Sequence, residues 1–93
     1  MLYIDQYSIT TMVRIVEWMQ SPRANKKYRV RLSNGRLVDF GSASHQHYRD
    51  VTPLRLWSRN DHLDTHRRML YYKRHKKDYE QFSADWLSKR YLW

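Results

Sequence analysis

Two histidine pairs and three carboxylates crowd the middle of this chain. His45 and His47 stand two residues apart, and His62 and His66 stand four apart, a spacing that shares one face if a helix carries both. Asp50, Asp61 and Asp64 lie in the same stretch and could supply oxygen ligands, either for zinc or for a metal-dependent nuclease. The pattern stops short of a signature. The residue after His62 is Leu63, where a zinc protease helix carries Glu, and no motif ties the carboxylates together. These spacings favour ordinary surface or core-edge histidines, so no metal and no other cofactor is expected. There is no cysteine, and the glycines are Gly35 and Gly41 alone, too few for a phosphate loop or a Gly-x-Ser-x-Gly elbow. Neither an enzyme nor a small-molecule substrate is indicated.

Charge points elsewhere. Eighteen Lys and Arg stand against nine Asp and Glu, a net of +9 in 93 residues. Residues 1–22 hold only Asp5, Arg14 and Glu17, so the excess lies in residues 23–93. One acid-free run holds Arg23, Lys26, Lys27, Arg29, Arg31 and Arg36; another holds Arg67, Arg68, Lys73, Arg74, Lys76 and Lys77. Most of these cations are Arg, whose planar fork suits phosphate and carboxylate oxygens. In the second run Tyr71 and Tyr72 interleave with the cations, as in surfaces that hold a nucleic-acid backbone and stack on unpaired bases. Lys26, Lys27, Arg29, Arg31, Arg67, Arg68, Tyr71, Lys73, Arg74, Lys76 and Lys77 are therefore the candidate contacts. A merely solvated basic surface is the plainer alternative.

The elements that position them read as α+β. Lys27–Leu32 alternates, with Tyr28, Val30 and Leu32 on one face and Lys27, Arg29 and Arg31 on the other. Arg36–Gly41 returns antiparallel. A two-residue Asn34-Gly35 turn would set Val30 opposite Asp39; a three-residue loop sets Val30 opposite Val38, Tyr28 opposite Phe40 and Arg29 opposite Asp39. The second register sorts apolar from charged and is the one expected, with Gly35 left-handed. Residues 12–19 read as a strand, against a competing helical spacing of Met12, Ile15, Val16 and Met19. Residues 41–60 form an irregular connector in which Thr52-Pro53 could open a short helical turn. A helix capped by Asn60 or Asp61 should run to about Lys77 on a thin stripe of Leu63 and Leu70. A last helix should start from Ser83 and dock by its aromatics, with Trp86, Arg90 and Trp93 on one side. The whole chain reads as one domain, with residues 1–11 as an N-terminal extension.

Lys27-Tyr28-Arg29-Val30 before Gly35, then Val38-Asp39-Phe40-Gly41, resembles the start of a family of small basic proteins found mainly in large DNA viruses. The run from Arg68 through Tyr72 to Lys77 is similar to that family's middle. Phe82–Ser88 with Tyr91-Leu92-Trp93 is similar to its terminus. The resemblance covers roughly residues 26–93 and carries over no catalytic residue. It implies a viral setting in which the protein meets the genome or the particle, in the host cytoplasm or nucleus or in the virion.

Two functions follow as expectations. The first is sequence-nonspecific binding of nucleic acid, most simply double-stranded DNA, as in genome packaging. The second is a minor capsid or cementing role in which the Arg and aromatic surface meets acidic particle proteins. No apolar run approaches the roughly 18 residues that span a bilayer, so no membrane partner is expected. The N-terminal residues lack a signal-peptide pattern, which with the lack of cysteine suits an intracellular setting.

Overall fold

A computed structural model describes residues 13–93. Strands β1 (Ile15–Gln20), β2 (Lys26–Leu32) and β3 (Leu37–Ser42) form an antiparallel sheet in the order β1-β2-β3. The β-branched and aromatic content of β1 prevails over its helical spacing because Trp18, paired with Val30, can pack its indole edge-on to Tyr28 and Phe40. A bulge between Ile15 and Glu17 shifts the register. The β2–β3 hairpin takes the three-residue register, pairing Tyr28 with Phe40, Arg29 with Asp39 and Val30 with Val38. Gly35 sits at φ +87, the left-handed position that loop requires.

One sheet face is apolar and covered. Helix α2 (Ala84–Tyr91) starts from the Ser83 cap, whose side chain accepts from the Trp86 N–H. It lays Leu87 over β3 with Leu92 just beyond its end, closing a core with Tyr28, Val30, Leu32, Val38 and Phe40. The buried anchors are thus Leu87 and Leu92, while Trp86 and Trp93, expected to lead, are half-buried. The other face carries Arg29 against Asp39 and Arg31 against Glu17.

Three expectations of local structure fail for tertiary reasons. Thr52-Pro53 opens no helix: Thr52 is buried and donates through its N–H and hydroxyl to the Asp50 carboxylate. The basic helix, α1 (Thr65–Arg74), starts later and ends sooner than the span from residue 61 to 77. Its cap is Asp64, because Leu63 is left-handed at φ +54 and the Asp61 carboxylate is taken up by His47 and the Asp50 N–H. Leu63 and Leu70 are not its buried stripe. Both are exposed, and Tyr71 is the side chain α1 buries, stacked flat on Trp93 with ring centroids 4.3 Å apart.

The connector is ordered by polar contacts. A single 3-10 turn at Ser58–Asn60 is its one helical piece, and His47 bridges Asp61 in parallel. The N–H groups of Arg49 and Val51 donate to the carbonyls of Leu92 and Tyr91, tying it to the end of α2.

Candidate nucleic-acid interface

Folding separates the cations of the hairpin, and it takes Lys27 out of the expected surface. Lys27 alternates with Arg29 and Arg31 along β2, yet its side chain is only 1% exposed. Its Nζ donates to the His45 carbonyl at 2.8 Å and lies 2.8 Å from His47 Nδ1. Burial lowers the Lys27 pKa to about 8, against the opposing pull of Asp50 and Asp61. Burial and the neighbouring Lys27 charge likewise hold His47 below its ordinary value. His47 is therefore neutral at pH 7: Nδ1 accepts from Lys27, and Nε2 donates to Asp61 at 2.6 Å as a hydrogen bond, not an ion pair. Beside this chain the buried Tyr28 hydroxyl donates to the Asp50 carboxylate and accepts from the Leu56 N–H. Lys27 belongs to a buried clasp between sheet and connector, not to a phosphate surface.

Arg29 and Arg31 are spoken for as well. The Arg29 guanidinium grips Asp39 at 3.0 and 3.1 Å, and this hydrogen-bonded pair holds the Asp39 carboxyl below its usual range. Arg31 donates to Glu17 at 3.0 Å. Lys26, half-buried at the start of β2, remains without an ion-pair partner among the described residues.

The helical cations stand differently. Arg67, Arg68, Lys73, Arg74, Lys76 and Lys77 are exposed, and none pairs with an acid among the described residues. Tyr71 is the exception. Ring stacking on Trp93 on one side and His75 on the other removes it from any ligand, and burial raises its pKa. It is a docking residue for α1. Of the two adjacent tyrosines it is Tyr72, half-buried, that keeps part of its ring open.

Folding also adds residues that the sequence reading passed over. Arg68 spans a groove between α1, α2 and the connector: its Nε donates to the Trp93 carbonyl at 2.7 Å, and its guanidinium lies 4.7 Å from the Tyr48 ring and 5.4 Å from that of Tyr72. Lys89 sits 5.3 Å from the Tyr72 ring, from α2. Arg49 and Arg90 complete a cavity of about 350 Å³ whose lining has four cations, four aromatic rings and no acid. The clue was visible as Tyr48-Arg49 and Lys89-Arg90-Tyr91, which repeat the cation–ring pairing of the central run. Their distance along the chain hid their convergence.

The histidine pairs do not make metal sites of the kind their spacing allows. His62 lies before α1, so it shares no helix face with His66, and its Nδ1 accepts from the Asp64 N–H. His45 turns to Ser42 while His47 is inside the clasp. Among the described residues, no three His, Asp or Glu side chains gather as a metal would need.

With this geometry in view, the chain can be set beside known families. Residues 16–53 match the model of a family of unknown function, DUF5754. The match runs from β1 through the hairpin to Pro53, so it takes in Lys27, Tyr28, His47 and Asp50 of the clasp and stops before both helices. No curated protein and no solved structure matches. The matched segment thus holds the sheet scaffold, while the cations of α1 and α2 lie outside it.

Proposed function

We propose that the protein binds nucleic acid without sequence preference, by holding the sugar-phosphate backbone, and performs no catalysis. One observation carries this reading: the cations of α1 and the residues after it are exposed and without acidic partners among the described residues, while on β2 Lys27 is buried and Arg29 and Arg31 are paired with acids. Phosphate contacts need only reach and charge, and Arg67, Arg68, Lys73, Arg74, Lys76 and Lys77 offer both, joined through Arg68 to Arg49, Lys89 and Arg90. No helix of the described residues is long and apolar enough to cross a membrane. The resemblance to small basic proteins of large DNA viruses supports genome packaging as the setting.

The test is binding of the purified protein to random DNA across a salt series. Affinity should fall steeply with salt, because each neutralised phosphate releases condensed counterions. Changing Arg74, Lys76 and Lys77 together to Ala should weaken all sequences alike and flatten the salt slope by up to about 3 units.

A second reading rests on Leu63, Met69 and Leu70, which are 59%, 50% and 37% exposed on and just before α1. Apolar side chains set among cations suit a protein interface, as in a cementing component of a particle. Association with capsid subunits by a protein that ignores DNA at low salt would favour it.

A further inference from the structure

We propose that the groove between α1, α2 and the connector is a site for unpaired nucleotides, so that the protein prefers single-stranded nucleic acid to duplex. This deepens the nucleic-acid reading and rests on it.

The argument starts from what lines the groove. Cations alone would serve a duplex, whose phosphates lie on its outside and whose bases are stacked within. Here the cations stand over rings: Arg68 over Tyr48 and Tyr72, Lys89 over Tyr72 and Tyr79, Arg90 over Tyr91. The rings are half-buried rather than sealed, so each keeps part of its surface open to the groove. A concave surface of aromatic rings gives a duplex nothing, because no base face is presented to it. It gives an unpaired base a stacking partner whatever its sequence.

The groove also has length. The cavity beside Tyr48 shares Tyr72, Lys89 and Arg90 with a second of about 300 Å³, which Tyr79 and Trp86 extend. Asp78 is the one acid in the lining of that second cavity. Two adjoining hollows with shared cations between them suit two consecutive nucleotides, with a phosphate at Lys89 and Arg90 and a base in each hollow. In the free protein Arg68 occupies ring faces of Tyr48 and Tyr72. A base that stacks there displaces the guanidinium, whose two terminal nitrogens carry no hydrogen bond among the described residues and can pass to phosphate.

Such a site has little use for a small free anion. Its cations are spread over two hollows and its walls are mostly ring, so a phosphate without a base would leave the aromatic surface unused. A polymer with a base at every phosphate uses both.

The experiment compares three oligomers of equal length at one low salt concentration by fluorescence anisotropy. They are a mixed-sequence single strand, its duplex, and a chain of abasic deoxyribose phosphates. The single strand should bind at least about tenfold more tightly than either of the others, and should alone quench tryptophan emission. Tyr48→Leu with Tyr72→Leu should lower single-strand affinity about ten- to hundredfold and lower affinity for the duplex and the abasic chain far less. The abasic comparison uses the unaltered protein, so it stands even if the double variant misfolds. Equal binding of single strand and abasic chain would overturn the stacking site while leaving backbone binding intact. Tighter binding of duplex would do the same. Binding of none of the three would remove the nucleic-acid reading itself.

Discussion

Lys27 Nζ and His47 Nδ1 lie 2.8 Å apart, with Asp61 on the far nitrogen of the imidazole, inside the seam where the connector covers β2. A buried cation, a buried neutral imidazole and a half-buried carboxylate form one row, and the buried Tyr28 and Asp50 form a second beside it. Polar rows of this kind cost desolvation and are kept only when each member finds its partner. Here they secure a connector that has little regular structure of its own.

The lysine of that row should make stability rise with pH in the alkaline range. In the folded protein Lys27 gives up its proton near pH 8, and in the unfolded chain near 10.5. Between those values the unfolded chain binds more protons, so folding gains as pH rises. Tyr28 opposes this at higher pH: raised to about 12 by burial, it stays protonated after the unfolded residue ionises near 10, and stability falls across that interval. Urea unfolding from pH 7 to 10 should show the rise in the native protein and its loss in Lys27→Met.

Asp50 should matter more than the hydroxyl it holds. Its carboxylate accepts from Thr52 twice, from Tyr28 and from the Trp57 N–H. Tyr28→Phe removes the buried hydrogen bond to the charged Asp50 and the acceptor of the Leu56 N–H, and should cost about 2–4 kcal/mol. Asp50→Ala strands several buried donors at once and should cost more, with faster amide exchange over residues 50–57. Equal losses by chemical denaturation would show that the tyrosine, not the aspartate, organises the connector.

Gly41 and Gly35 share a left-handed backbone but should respond differently to Ala. A Cβ at Gly35 meets nothing within 4 Å, so Gly35→Ala should cost only the backbone term, about 1–2 kcal/mol. At Gly41 the added carbon would stand 2.9 Å from Leu92 Cδ1 and 3.2 Å from Lys27 Cβ. Gly41→Ala should therefore cost about 2–4 kcal/mol, with a shift of the C-terminal residues off β3. Paired unfolding curves check the order.

The hairpin ion pairs should be silent in nucleic-acid binding. Replacing both pairs whole, Arg29→Gln with Asp39→Asn and Arg31→Gln with Glu17→Gln, keeps net charge constant. The salt slope of DNA binding should change by less than about one unit, against the larger change expected from Arg74, Lys76 and Lys77. A large fall in the slope would place phosphates on the sheet after all.

The sequence alone determined the α+β class, the hairpin register and the Ser83 cap, because each rests on neighbours a few residues apart. Alternation in β2 and β3 admits one loop length that keeps Val30 with Val38, and a serine before Ala84 caps wherever the helix docks. What it left undecided were burial and partnership. Lys27 is drawn inside by His45 and His47, about twenty residues away, and no strand pattern records that. Tyr71 is buried in place of Leu63 and Leu70 because α1 meets the flat ring of Trp93, so the partner's shape sets which stripe turns inward. Arg49, Lys89 and Arg90 join Arg68 only once α2 and the connector close on each other. Propensity and periodicity are local quantities; a groove is a meeting of distant segments, and only the tertiary structure decides which of them meet.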